Sequence, residues 1–396
     1  MNVHLSEQPL VLENARVVLL DRVLKNGSVV VESGLITAVA EVSLAVPGAT
    51  VVDLSGLVLL PGFIDVHIHG AVGVDVMEAT PRGLQEVSQY LASQGVTGWL
   101  PTLVPGSDAN YASVAAAVSE AMRSPEVNGA RILGLHYEGP FVNSAQCGAL
   151  HVEHFKTYSR PEDLDSVPAS PEMARMITLA PEIDGGVELV RELKRRGWVI
   201  SIGHTRATLD LLDQAFAAGA RHMTHFMNAM PPLHHSSPGP IAWGLSRDDV
   251  TCDVIADGIH LDPFMLQLLV KIKGVRGLAL ISDAIAAAGK GDGDYQIWGE
   301  TISVNNGRTA NASGSIAGSV ITMLDAVRTM RSLGISYVDL AQMASTNPAR
   351  LLGLDHECGS ISVGKRADLL ALDSNAQVRL TIVNGLVVSG EDRSHR

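Results

Sequence analysis

The chain is short of cysteine, short of positive charge and without any long apolar run. Its three cysteines, Cys147, Cys252 and Cys358, are widely spaced and form no CxxC pair. That excludes a disulfide framework and points to a reducing, cytoplasmic setting. No stretch approaches the roughly 20 apolar residues that a bilayer span needs. The opening MNVHLSEQPLVLENARVV has no basic start followed by an apolar block, so no export signal is expected. The 29 Lys and Arg are outnumbered by 42 Asp and Glu, for a formal charge of -13. Neither nucleic acid nor an anionic membrane is an expected partner, because both need a basic surface. No GxGxxG follows any apolar run, which removes a dinucleotide site, and no GxSxG elbow offers a serine nucleophile. Low-complexity tracts and solenoid repeats are absent. The tryptophans (Trp99, Trp198, Trp243, Trp298) are too scattered to suggest a sugar-stacking platform.

What remains has two textures. Residues 1–58 read as short strands, with LVLENARVVLL, GSVVVESGLITAVA and TVVDLSGLVLL punctuated by Asn-Gly, Ser-Gly and Pro-Gly. The same texture returns in SISVGKRADLLALD and VRLTIVNGLVVSGED, so residues 1–58 and 356–396 are expected to form one small β-sandwich domain from both chain ends. Between them, over 59–355, apolar runs alternate with Ala- and Leu-rich helical stretches. The runs are GFIDVHIHG, GVTGWLPTL, ARILGLHYEG, ARMITLAPE, GWVISIGHT, RHMTHFMN, TCDVIADGIH and RGLALISDA. Eight such units predict an α/β fold, a (β/α)8 TIM barrel, which needs about 250 residues.

In a barrel of this kind function sits at the C-terminal ends of the strands. Here those ends carry unusual polar residues. The first run closes on His67 and His69, whose period-two spacing points both imidazoles into the barrel. Glu138 closes the third run and His204 the fifth; His225 lies in the sixth, Asp257 and His260 close the seventh, and Asp283 the eighth. Singly, each has a bland reading: a satisfied core histidine, or an aspartate capping a helix. Together they are costly to bury around one axis unless a divalent metal satisfies them. Imidazoles with carboxylates suit zinc or iron(II), whereas magnesium and calcium sites are built from oxygens.

The strings PGFIDVHIHG, GLHYEGPF, GHT, THFMNAMP, ADGIH, SDA and SGSIAGS run in order from residue 61 to about 320, and STNPAR and GSISVGKRADLL extend them. With them the chain resembles the amidohydrolase superfamily and, within it, the branch that deacetylates N-acetylglucosamine 6-phosphate. The HxH pair is shared widely; EGPF with THFMNAMP and ADGIH is far more specific. The resemblance implies metal-dependent hydrolysis of the acetamide of an N-acetylated amino sugar, by a homodimer with one or two ions. It implies Glu138, His204 and His225 as ligands of the principal metal, His67 and His69 as the pair for a second, and Asp283 as catalytic acid/base. His260, Asn228, Ala229, Ile316, Ala317 and Gly318 are implied as substrate contacts.

Two departures from the family pattern bear on specificity. Where relatives carry Lys-Gly-Ala-His after EGPF, this chain reads Gln146-Cys147-Gly148-Ala149-Leu150-His151. His151, one residue late, is the candidate for polarising the acetyl carbonyl, and an idle loop histidine is its plain alternative. Cys147 in the same stretch reads as an idle thiol or a redox-sensitive gate. Where the family sets an arginine on the substrate phosphate, this chain has Ser236, after His234 and His235. Losing a guanidinium predicts a modest phosphate preference at most, rising toward about pH 6 if either histidine takes a proton. Deacetylation of an unphosphorylated or different N-acetyl sugar is one rival reading. Another is hydrolysis of an N-acyl amino acid or cyclic amide, but many such enzymes use a carbamylated lysine at the end of strand four, where this chain has Ala180-Pro181-Glu182. A non-catalytic relative should have lost ligands, and none is missing.

Overall fold

A computed structural model of the chain describes residues 8–123 and 128–390. The eight apolar runs form eight parallel strands: β1 (Phe63–Ile68), β2 (Val96–Leu103), β3 (Gly134–Glu138), β4 (Ala174–Leu179), β5 (Val199–Ile202), β6 (His222–Met223), β7 (Thr251–Ile255) and β8 (Leu278–Ile281). They pair in sequence order, β1 on β2 through to β7 on β8. The barrel closes where the chain beyond β8 meets β1. Asp283 N donates to His67 O at 2.9 Å, and His69 N donates to Ala284 O at 2.7 Å. Every residue of β1, β2 and β3 is buried. That is expected of strands covered by helices outside and packed side chains inside, and it explains runs that are apolar throughout rather than alternating.

Helices follow seven of the eight strands, among the described residues. The helix Pro81–Ser93 starts where Thr80 Oγ1 accepts from Gly83 N at 3.1 Å, with Pro81 in the first turn. Met323–Ser332 opens on a reciprocal box between Thr322 and Asp325. The return from β3 is the exception. Its segment is broken by Gly148, Pro161, Pro168 and Pro171 and forms only short 3-10 turns at Ser144–Gln146, Val152–His154 and Pro161–Ser166. That leaves an irregular loop over the mouth of the barrel.

Strands from both chain ends form a second, mixed eight-stranded sheet: Leu10–Val18, Val23–Glu32, Leu35–Ala40, Thr50–Asp53, Val58–Pro61, Leu369–Leu372, Val378–Val383 and Leu386–Gly390. In hydrogen-bond terms the expected sandwich is one continuous sheet. Its period of two divides the burial. Leu57, Leu59, Leu369 and Ala371 pack into the sheet's own core with Leu12, Val29 and Ile36. Their neighbours Val58, Leu60, Leu370 and Leu372 turn the other way and join the barrel core with Phe63 and Val96. A charge pair pins the same junction: Arg131 Nη2 lies 2.9 Å from Asp368 Oδ2, whose side chain is 4% exposed.

Removing the cation would leave a buried carboxylate short of its partner. Arg131→Met is expected to cost about 2 kcal/mol, below the figure for a fully buried pair because Arg131 is partly solvated. Urea denaturation checks this. An unchanged midpoint would mean that solvent already screens the pair.

Candidate active site

The functional side chains follow one rule of placement. On β5, β6, β7 and β8 the last strand residues are Ile202, Met223, Ile255 and Ile281. His204, His225, Asp257 and Asp283 each lie two positions further on, so His225 stands beyond strand six rather than within it. Three of them leave the ladder in the left-handed region, with φ of 47° at His204, 27° at His225 and 51° at Asp283. Such backbone in non-glycine residues is strained, and its concentration around one axis is typical of functional sites. A buried acceptor sets the turn at His225: Asp253 takes both the His225 backbone N–H and the His222 ring at 3.0 Å, which draws the chain off the ladder.

Glu138 is the centre. Its Oε1 lies 2.8 Å from His204 Nε2 and 2.9 Å from His225 Nε2. Its Oε2 lies 3.2 Å from His69 Nε2 and 3.6 Å from His67 Nε2. Asp283 Oδ1 approaches the second pair from the other side, 3.1 Å from His69 and 3.4 Å from His67. Two buried triads thus share one carboxylate, with all ligand atoms of each within 4.8 Å of one another. Within the pairs, the Nε2 atoms are 3.2 Å apart for His67 and His69 and 3.1 Å apart for His204 and His225.

Tautomers decide what this cluster accepts. His69 Nδ1 faces the Thr102 carbonyl at 3.1 Å and His204 Nδ1 faces the Gln146 carbonyl at 2.7 Å. A carbonyl can only accept, so each ring carries its proton on Nδ1 and, when neutral, turns a bare Nε2 lone pair inward. Lone pairs then face lone pairs and carboxylate oxygens, an arrangement relieved by a proton or a metal cation. Without a metal, protons serve. Burial opposes charge on His69 and His225, but Asp283 and Glu138 outweigh it at His69, and Glu138 does so at His225, lifting them to about 10 and about 9. Burial equally opposes the carboxylates. His67 and His204 hold Glu138 well below its usual range, and His67 with His69 holds Asp283 down.

A cavity of about 530 Å³ opens above Glu138. Its walls include His69, His204, His225 and Asp283, together with Asn228, Ala229, His260, Ile316 and Gly318. His260 Nδ1 donates to Asp257 Oδ2 at 2.6 Å, leaving Nε2 as an acceptor. Asn228 Nδ2 is shielded from solvent and bonds to nothing among the described residues, a donor in want of an acceptor. Gly318 sits at φ 57°, and a Cβ there would meet Asp283 O at 2.9 Å and Ile285 Cγ2 at 2.6 Å. Only glycine fits against the catalytic candidate.

Three sequence candidates stand apart. Ala317 is fully buried in a small core with Ile285 and Ile302 and does not line the cavity. His151 faces a neighbouring cavity, with Nδ1 3.2 Å from Glu153, while Leu150 takes the cavity wall beside Cys147. Ser236 is exposed, and its backbone N–H donates to its neighbour His234 Nδ1 at 3.3 Å, outside the cavity walls.

Three residues escaped the sequence reading. Trp298 reaches the wall from the tight turn of the hairpin Gly293–Asn305 and meets His69 edge-on at 5.3 Å. Only the fold brings it there. Asp65 is fully buried and takes Ser282 Oγ at 2.5 Å, bracing β1 against β8. Its signal was the Asp-x-His-x-His alternation, which points Asp65 to the same side as His67 and His69. Asp253, which seats His225, reads as an ordinary strand residue. His136, also on β3, is the bland case: both ring nitrogens are satisfied, by Val66 O and Thr178 Oγ1, and burial keeps it neutral.

The model of the amidohydrolase family matches residues 58–388. The N-acetylglucosamine-6-phosphate deacetylase of Bacillus subtilis is 38% identical over 96% of both chains. The N-acetylgalactosamine-6-phosphate deacetylase of Escherichia coli O157:H7 is 34% identical, over 91% of this chain and 94% of its own. Among solved structures, the N-acetylglucosamine-6-phosphate deacetylase of Thermotoga maritima superposes with a TM-score of 0.86 at 34% identity, covering 96% of this chain and 100% of its own. A Mycobacterium smegmatis variant solved with N-acetyl-D-glucosamine-6-phosphate gives 0.87 at 29% identity, covering 96% and 99%.

The proton count makes the site testable. At pH 7 the rings of His69 and His225 hold protons that a metal must expel, so apparent metal affinity should climb with pH until it levels above about 10. Titration calorimetry in buffers of different ionisation enthalpy would register the released protons, and a pH-independent affinity would refute the assignment. In the metal-free protein the sign reverses. Both rings are raised from 6.5, so their stabilising contribution is complete below that value and is lost as pH passes through 9 and 10. His204→Ala should abolish binding at the principal triad, read by elemental analysis, while His67→Ala should leave that ion in place.

Proposed function

The chain belongs to the amidohydrolase family, and from that premise we propose that it hydrolyses the acetamide of N-acetylglucosamine 6-phosphate to glucosamine 6-phosphate and acetate. The observation that carries the reading is one carboxylate, Glu138, shared by two histidine pairs at the floor of a cavity whose wall holds Asp283. Relatives that share nearly the whole chain length support the amino-sugar phosphate as substrate. At the end of strand four Glu182 accepts from Asn143, Thr205 and the Arg206 backbone, so no lysine bridge of the cyclic-amide hydrolase kind is built there.

Nitrogen-rich ligands with one carboxylate suit zinc, with iron(II) next: Glu138, His204 and His225 would hold one ion, and His67, His69 and Glu138 a second. When bound, such an ion polarises the scissile carbonyl and makes water more acidic. The remaining work falls to the chain's own residues. Asp283, ionised at neutral pH, takes a proton from the attacking water and returns it to the amide nitrogen as the C–N bond breaks. His260 Nε2 accepts from a sugar hydroxyl, and Asn228 with Ala229 forms the wall beside the sugar. Trp298 covers His69 and keeps bulk water off that side. We further propose a homodimer acting in the cytoplasm, in keeping with the family resemblance and the unpaired cysteines. No helix among the described residues is long and apolar enough to cross a membrane.

The 34% identity to an N-acetylgalactosamine-6-phosphate deacetylase favours one second reading, the 4-epimer as substrate. Acetate release from both epimers, each with and without the 6-phosphate, decides between them. Failure on every member of the panel by metal-loaded protein would end the deacetylase reading. Asp283→Asn removes the titratable group at nearly constant shape. Turnover should fall at least about 10²-fold, the low end for general acid–base catalysis, with metal still bound. Near-normal turnover would mean that another group moves the proton.

A further inference from the structure

The cavity wall offers a substrate phosphate no cation. No lysine or arginine is among the residues that line the cavity, and His234, His235 and Ser236 lie exposed on a loop outside its walls. The chain as a whole is strongly acidic. A dianionic phosphoryl group therefore needs a local source of positive charge to be preferred over a hydroxyl.

One guanidinium is held at the rim. Arg206 follows the ligand His204 by two residues, an exposed side chain between buried Thr205 and Ala207 just past β5. The Thr205 backbone N–H bonds Ala229 O at 3.3 Å, which sets this stretch beside the Asn228–Ala229 wall. On its other side is Gln146, itself a wall residue. With the Gln146 amide oriented to satisfy both groups, its oxygen accepts from Arg206 Nε at 2.7 Å and Nη2 at 3.2 Å. The Gln146 backbone carbonyl, meanwhile, holds His204 Nδ1 at 2.7 Å. One residue thus orients both the metal ligand and the arginine.

The partner's charge is the point of the arrangement. Among the described residues no carboxylate pairs with the Arg206 guanidinium; Glu182 takes only its backbone N–H. A neutral amide fixes the group along its Nε–Nη2 edge without cancelling its charge. The Nη1–Nη2 end has no partner among the described residues, and its two parallel N–H donors match two phosphate oxygens. We propose that Arg206 is the specificity-determining residue that receives the phosphoryl group of the substrate, in place of the arginine absent at position 236. This rests on the deacetylase reading and goes beyond it by assigning the cation.

The experiment compares kcat/KM for N-acetylglucosamine 6-phosphate and N-acetylglucosamine, using metal-loaded wild type, Arg206→Gln, Arg206→Lys and the double variant His234→Ala, His235→Ala. Losing a charge-assisted contact should lower the ratio of phosphorylated to free sugar about ten- to a hundredfold in Arg206→Gln, mainly through KM. Arg206→Lys should recover part of it, since a point charge remains without the fork. Inorganic phosphate should inhibit the wild type competitively and lose about tenfold in potency against Arg206→Gln. An unchanged ratio in Arg206→Gln, or a fall confined to the histidine variant, overturns the assignment while acetate release stands. A wild type that releases acetate from neither sugar overturns the deacetylase reading and this assignment with it.

Discussion

The architecture of the site hangs on one carboxylate held among four imidazoles. Glu138 is buried at the end of β3, and each of its oxygens faces a different histidine pair. Such a group is tolerable in a barrel interior only with compensating charge, and the need propagates outward. The histidines must present Nε2, so Thr102 and Gln146 carbonyls hold the opposite nitrogens of His69 and His204. They must also arrive from different strands, so the chain leaves the ladder at fixed distances beyond β5, β6 and β8. Asp253 and Asp65 supply buried acceptors at the departures from β6 and β8.

The barrel was legible because its strands are buried on both faces and therefore apolar from end to end. Counting such runs is enough to reach eight. The terminal sheet was legible through strand texture returning at residues 356–396, although a continuous sheet and a sandwich have the same local pattern. The absence of a helix after β3 follows from prolines and glycines that local reading passes over when it counts alternating units.

For the site, ligands and cavity walls differ in kind. A metal ligand needs a particular atom type at a strand end, and that is written in the sequence. A wall residue needs only to arrive. Trp298 comes from a hairpin past the last strand, and nothing in its neighbours distinguishes it from the other tryptophans. His151 illustrates the reverse: its residue type suits a role, but Leu150 takes the wall and His151 turns to Glu153. Arg206 lies two residues from a ligand, where proximity in sequence draws attention to the histidine and away from its neighbour.

The strand Val58–Pro61 lies between two partners of very different age in synthesis. Arg16 and Val17 flank it on one side, and Leu369–Leu372 on the other, about three hundred residues later. A nascent chain emerging from the ribosome can form the hairpin Leu10–Glu32 at once, yet it carries an open sheet edge while the whole barrel is translated. Closing that edge is a contact of long sequence separation, slow by its loop entropy and exposed to wrong pairing meanwhile. The fold therefore leaves the sealing of that edge to Leu369–Leu372, and damage there should send newly made chains toward aggregation.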